Sequence, residues 1–386
     1  MLAVGQLLVW AALFYIFPAM WVRWEAAFGW TRAELTLAIT FAILASGVAA
    51  PVAGRIIDAG YGALMMSLAA AMGGVGLIAL AEVTALWQFY GLWLWIGVMM
   101  AGCLYEACFA LLTRARGGQA RQAIVWITLI AGFAGTLSFP TVHVLSEAFG
   151  WQMAVRLIGA VVIAVVTPML WIGGRGLQDV PSGAQTGAAE ISDKGFLRTP
   201  VFWCIGLGFA AIAVVHGATL QHLLPILAER GLSVEFAVTI AAMIGPMQVA
   251  GRVAMVVGER WMSNLQFAVL AFALMGLSLV ILQFLATQRA GALAFVILFG
   301  SAYGTISILR PLIARELLGE RQFGAKSGAL AWLYMTGAAV SAYFGALVWS
   351  VGGYGLMLIL LIGLAGVASA LCVAAYRPRD LASGKS

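Results

Sequence analysis

Charge is what this chain has least of. Only 9% of its 386 residues are Asp, Glu, Lys or Arg, whereas 63% are hydrophobic. A soluble domain carries about a quarter charged residues and is about half apolar, so a soluble globular fold is excluded. Cysteine is scarce too: Cys103, Cys108, Cys204 and Cys372 each lie inside an apolar run at irregular spacing. They read as free core thiols, with neither disulfides nor a metal site. There are three histidines, no phosphate-binding loop and no nucleophile–base constellation, so nothing supports an enzyme, a cofactor or a metal centre. The opening "MLAVGQLLVWAALFYIF" lacks a charged leader and a small-residue cleavage site, and reads as a first membrane span rather than a signal peptide. The formal net charge of +6 calls for no nucleic acid, because basic cytoplasmic loops produce the same excess.

What is present is one long apolar run after another. A helix needs about 20 apolar residues to cross a ~30 Å hydrocarbon core. That window predicts an all-α membrane protein with spans near 2–22, 33–53, 62–82, 86–112, 121–144, 151–173, 201–225, 234–257, 264–286, 290–314, 326–348 and 354–375. The fourth and tenth are long enough to tilt or protrude. With both termini inside, fourteen of the 21 Lys and Arg fall on inner loops and the tail, and five fall on outer loops and rims. Arg252 and Arg310 lie within spans. This bias predicts an N-in, C-in topology.

The longest polar stretch is 174–200, "GRGLQDVPSGAQTGAAEISDKGFLRTP". Its Gly, Ser and charge read as a flexible cytoplasmic linker. The expected organisation is a six-helix bundle over 1–173, the linker over 174–200, a second six-helix bundle over 201–376 and a cytoplasmic tail over 377–386. Internal echoes fit a duplicated build. "VAGR" ends span two at 52–55 and span eight at 249–252, and "EAAFGW" at 25–30 is matched by "EAFGW" at 147–151.

Twelve spans, a central loop and "PVAGRIIDAGYGALMM" at 51–66 resemble the major facilitator superfamily. Its loop signature is matched here by Gly54 and Asp58, with the next glycine displaced to Gly62. The resemblance implies two pseudo-symmetric six-helix bundles and a cytoplasmic brace at Gly54, Arg55 and Asp58. Within such a brace Asp58 caps a helix end or pairs with a neighbouring arginine. "FGWTRAELTLA" after span one, the glycine-rich span two and "GPMQVAGR" in span eight look like bacterial relatives of monocarboxylate and oxalate/formate carriers. The monocarboxylate branch uses an arginine in span eight, matched by Arg252, with Gln248 standing where that branch has an aspartate. In the superfamily, spans one, four, seven and ten line the central cavity.

Three charges stand in apolar sequence: Glu106, Arg252 and Arg310. By helical rise they lie roughly 9, 8 and 6 Å from the inner edge. Each costs about 2.5–3.5 kcal/mol at the bilayer centre, and less towards the interface. Such groups face a bundle interior or water. On span ten Tyr303, Ser307 and Arg310 follow i, i+4, i+7, forming one polar stripe, and Pro311 follows them. On span eight Gly245, Gln248 and Arg252 share a face. The resemblance places Glu106 and Arg310 on the path in opposite halves, so Glu106 is expected to pair with a basic group across the cavity, as a gate, a substrate site or a proton site. The plainer alternatives are a structural ion pair for Glu106, a cytoplasmic brace for Arg252 and a hydrogen-bonded structural role for His216, which otherwise titrates as a proton site. His222 and His143 are read as interfacial. The tryptophans near span ends (Trp21, Trp24, Trp30, Trp87, Trp151, Trp261) are read as an aromatic belt.

The favoured function is secondary active transport of a small organic anion, a carboxylate, by a monomer with proton coupling through Glu106 or His216. Arg310, Arg252, Tyr303, Ser307 and Gln248 would contact the substrate, because two arginines against one glutamate leave positive charge for it. The alternative is proton-driven efflux of amphipathic or cationic compounds, with Glu106 as proton and cation site. A membrane sensor or scaffold would need a soluble domain or a longer tail than "RPRDLASGKS".

Overall fold

The computed structural model describes residues 1–116, 120–178, 194–319 and 323–383. These residues form helices and short connections, with no strand among them. The chain divides into two compact units, Met1–Thr186 and Gly187–Ser386. The first holds α1 (Leu2–Leu13), α2 (Ile16–Phe28), α3 (Arg32–Ile56), α4 (Gly62–Leu80), α5 (Leu86–Cys103), α6 (Tyr105–Arg116), α7 (Ala120–Ala131), α8 (Ala134–Val161) and α9 (Thr167–Gln178). The second holds α10 (Pro200–Glu229), α11 (Val234–Gly258), α12 (Asn264–Phe284), α13 (Arg289–Leu318) and α14 (Phe323–Ser383).

Local sequence starts these helices. Thr31 accepts from the Glu34 amide while the Glu34 carboxylate accepts from the Thr31 amide, a reciprocal cap that opens α3. Ser263 and Gln266 do the same for α12. Ser233 caps α11. Thr199 caps α10, with Pro200 in the first turn, where its missing donor costs nothing.

By length and composition, nine apolar segments among the described residues can cross a membrane. Three of them, Arg32–Leu80, Trp126–Leu177 and Gly328–Tyr376, run 49, 52 and 49 residues. That is about 75 Å at ~1.5 Å per residue, more than twice the ~30 Å hydrocarbon core. Each contains a glycine at positive φ (Gly60 at 93°, Gly150 at 80° and Gly353 at 68°), a conformation that breaks the helix and that side chains disfavour. Each therefore supplies two spans, and the twelve predicted spans are present, six in each unit.

The helices run past the expected span ends. The stretch expected as a linker begins inside α9, which continues to Gln178, and it ends in a short 3₁₀ turn at Lys194–Arg198. Residues 179–193 of that stretch lie outside the described residues. The expected tail over 377–386 is helical as far as Ser383.

Within each unit the second and fourth spans cross closely. A Cβ on Gly97 of α5 would collide with the Ala42 carbonyl of α3. A Cβ on Gly304 of α13 would collide with the Gln248 carbonyl of α11, and one on Gly251 of α11 with the Ser301 carbonyl. Small residues let helix backbones approach in this way, and dispersion then holds them. The aromatic-belt expectation for the tryptophans is corrected in part. Trp87 and Trp261 are exposed as a belt requires, but Trp21 and Trp24 are fully buried. They form an edge-to-face cluster with Phe17, Phe89 and Trp93, the arrangement that the ring quadrupoles favour.

Candidate functional site

In the second unit, the three named polar residues of α13 and α10 gather around aromatic rings. Arg310 is half-buried, with its guanidinium carbon 4.3 Å from the Tyr334 ring centroid. The Tyr334 hydroxyl lies 3.0 Å from the Tyr303 hydroxyl. The Tyr303 ring stacks on His216 of α10, with centroids 3.3 Å apart and planes at 4°. Phe299, one turn earlier on α13, lies nearly parallel to the His216 ring with centroids 5.6 Å apart. His216 is 7% exposed, and its Nε2 has no hydrogen-bond partner. Among the described residues of this unit, no carboxylate pairs with Arg310. A cation over a ring face is held by the ring quadrupole, and its N–H edges stay available for in-plane acceptors. The side chains of Ser307 and Pro311 lie outside the described residues. The backbone of α13 stays helical through position 311.

Arg252 is engaged in packing. Its Nε donates to the Gly304 carbonyl at 3.3 Å, at the close crossing of α11 and α13. Gln248 is 4% exposed on the same crossing, and its carbonyl meets Gly304. The face predicted on span eight is therefore turned to span ten.

In the first unit, span one and span four are both interrupted. Span one breaks at Phe14 and Tyr15 between α1 and α2. Pro18 lacks the donor that would reach the Phe14 carbonyl, and Phe17 takes that carbonyl at 3.3 Å. Span four breaks at Leu104, whose backbone is extended (φ −84°, ψ −163°). The Cys103 carbonyl, which a continuous helix gives to the amide four residues on, accepts from Gln6 Nε2 at 2.8 Å. Glu106 follows in the first turn of α6. Free backbone N–H groups there favour a carboxylate. Glu106 is exposed, and among the described residues of its own unit it has no hydrogen-bond or ion-pair partner. Beside it Tyr105 stacks on Phe109 at 5.0 Å and leans on Trp10 at 4.6 Å.

The segment expected to hold the brace turns at Ile57–Tyr61, after α3. Asp58 is exposed and has no partner among the described residues of its unit; Arg55 is exposed too, and a Cβ on Gly54 would meet nothing within 4 Å. The arginine that reaches this loop is Arg114 of α6, which donates to the Ile57 carbonyl beside Gly60. His222 is also corrected, from interfacial to buried core. It is 0% exposed, and its ring nitrogens meet Tyr354 Oη at 3.1 Å and the Ala342 carbonyl at 2.8 Å. His143 is half-buried beside Arg23, which also pairs with Glu147. Sequence reasoning missed Tyr334, Arg114, Gln6, Trp10 and Tyr105. Gln6 alone carried a signal, as the one amide in the apolar run of the first span.

The sequence matches the Major Facilitator Superfamily over residues 2–342. No curated protein matches the chain at a significant level. Among solved structures, it is similar to a bacterial homolog of the human lysosomal transporter Spinster, in an inward-facing and occupied conformation. That likeness has 16% identity, a TM-score of 0.73, and covers 97% of this chain and 95% of that one. It is also similar to the nucleoside transporter NupG, at 12% identity and TM-score 0.71, covering 97% and 96%. At such identities the likeness is one of fold.

Proposed function

We propose, from the premise that the chain belongs to the major facilitator superfamily of membrane transporters, that it moves a small organic anion, a carboxylate, by alternating access. The observation that carries this is Arg310. A half-buried guanidinium sits over Tyr334, with no carboxylate partner among the described residues of its unit. The ring holds the charge by its quadrupole and leaves the forked donors for a planar two-oxygen acceptor. The Tyr303 hydroxyl is nearby through its bond to Tyr334, and Ser307 is the next hydroxyl along the stripe. Gln248 completes the polar set, and Arg252 holds α11 against α13. In this reading Glu106 is the proton-coupling carboxylate, His216 is a second titrating group, and Gly54, Arg55 and Asp58 belong to the inner loop. The likeness of "GPMQVAGR" to the monocarboxylate branch supports the same ligand class.

The test is thermal stability of the purified protein with a panel of small carboxylates. A ligand at 100 times its Kd adds about 2.7 kcal/mol to apparent stability. At least one carboxylate is expected to stabilise the parent and not Arg310→Ala. Equal stabilisation of both, or of neither, ends the anion reading. The proposed orientation has both termini in the cytoplasm of a bacterial cell, on the strength of the basic-residue bias. Single cysteines at Ser182 and Ser386 are expected to resist impermeant labelling in intact cells, and labelling from outside would overturn that orientation.

A further inference from the structure

The break in span four gathers groups that the carboxylate reading leaves unused. Gln6 is fully buried, and its Nε2 is committed to the Cys103 carbonyl. Its amide orientation follows from that bond, since an oxygen turned towards a carbonyl would be repelled. Gln6 Oε1 is therefore an acceptor, and it has no partner. A buried acceptor left unpaired costs about 1–3 kcal/mol, so the fold keeps it at a loss unless something donates to it. Glu106 lies three residues after Cys103, within roughly 10 Å of chain, and it too lacks a partner among the described residues of its unit. Trp10, one turn after Gln6 on the same face of α1, sets its ring 4.6 Å from that of Tyr105. Tyr105 continues the aromatic surface into Phe109. Two acceptors, one of them charged, thus lie on the segments that carry these rings, and among the described residues of the first unit no cation pairs with either.

We infer that this cluster is a binding site for a protonated primary amine. An ammonium group has three donors and one positive charge. The Glu106 carboxylate supplies the countercharge, Gln6 Oε1 takes a second N–H, and the Trp10 and Tyr105 faces stabilise the cation through their quadrupoles. The site distinguishes a primary amine from a quaternary one, because hydrogen bonds to the two acceptors need N–H donors. It also distinguishes an amine from a neutral alcohol, because a carboxylate attracts an ammonium and forms a charge-assisted hydrogen bond with it, which a neutral hydroxyl does not match. Proton and amine then compete for the same carboxylate, which extends the role given to Glu106 above. The inference stands on groups of the first unit and does not rest on the anion reading at Arg310.

The test is calorimetric titration of the purified full-length chain with n-butylammonium, with tetrabutylammonium, butan-1-ol and butyrate as separate arms. Butylammonium is expected to bind at least about tenfold more tightly than tetrabutylammonium or butan-1-ol, the worth of one charged hydrogen bond. Glu106→Gln is expected to weaken butylammonium about tenfold or more, and Glu106→Asp to retain most of the affinity. Gln6→Met should weaken it severalfold, and Trp10→Phe, which keeps a ring, should weaken it less than Trp10→Ala. Butylammonium affinity unchanged in Glu106→Gln overturns the proposal, as does tetrabutylammonium binding as tightly as butylammonium. If the Gln6 variant fails to fold, the Glu106 and Trp10 variants decide alone. Glu106-dependent amine binding with no carboxylate of the panel binding would end the anion reading and leave this one standing.

Discussion

In the first unit, span one is two helices, α1 and α2, and span four is two helices, α5 and α6. In the second unit the corresponding spans, seven and ten, are α10 and α13, each a single helix of 30 residues. The charges follow the difference. The broken span four carries Glu106 in the first turn after its break, where unbonded backbone N–H groups offer positive potential. The unbroken span ten has no free backbone ends in its middle. Its charge is Arg310, stabilised by the ring of Tyr334. A duplicated architecture has thus been specialised twice, by backbone interruption for an acid and by aromatic stacking for a base. What the units share is the crossing of their second and fourth spans, at Gly97 in one and Gly304 in the other.

The largest expected effect tests the acid side. Glu106→Gln should abolish concentrative transport while leaving counterflow exchange measurable in proteoliposomes, because exchange needs no net proton movement. Normal pH-driven transport by that variant would remove the contrast between the units. On the basic side, Arg310→Lys keeps the charge and loses the fork, and should weaken carboxylate binding by about 1–3 kcal/mol. Arg310→Ala should weaken it further, and calorimetry would measure both. Tyr334→Leu should act on affinity in the same direction as Arg310→Lys but less strongly, since a cation–π contact contributes about 0.5–2 kcal/mol.

The shared feature is probed by overpacking. Gly97→Ala and Gly304→Ala should each cost about 1–3 kcal/mol in resistance to denaturation, whereas Gly47→Ala, whose Cβ meets nothing within 4 Å, should cost little. Unequal costs at Gly97 and Gly304 would show that the two crossings are not equivalent. The smallest effect belongs to the helix start at Leu104. Beyond its transport defect, Glu106→Gln should lower thermal stability by only about 0.3–1 kcal/mol, the worth of an exposed carboxylate at a helix N-terminus.

Membrane insertion is an additive property of about 20 neighbouring residues, and for that reason the twelve spans, their approximate limits and the six-plus-six layout were legible in the sequence alone. So was the singularity of Glu106, Arg252 and Arg310, because a charge in an apolar run is conspicuous whatever surrounds it. Capping residues such as Thr31 and Ser263 act within one turn and could be read locally as well. Tertiary structure alone decided what each polar group touches. Arg252 meets the Gly304 carbonyl, Gln6 the Cys103 carbonyl, His222 the Tyr354 hydroxyl, and Arg114 the Ile57 carbonyl. In each case the partner is distant in sequence, and no local propensity encodes it. The same holds for Trp21 and Trp24, which share their composition with the exposed Trp87 and Trp261 and differ only in what packs against them. The break at Leu104 belongs with these, since neither proline nor glycine occupies that position and its freed carbonyl is satisfied from another helix. Hydropathy is summed along the chain, but a hydrogen bond is made across it, and only the packed helices bring the two ends of that bond together.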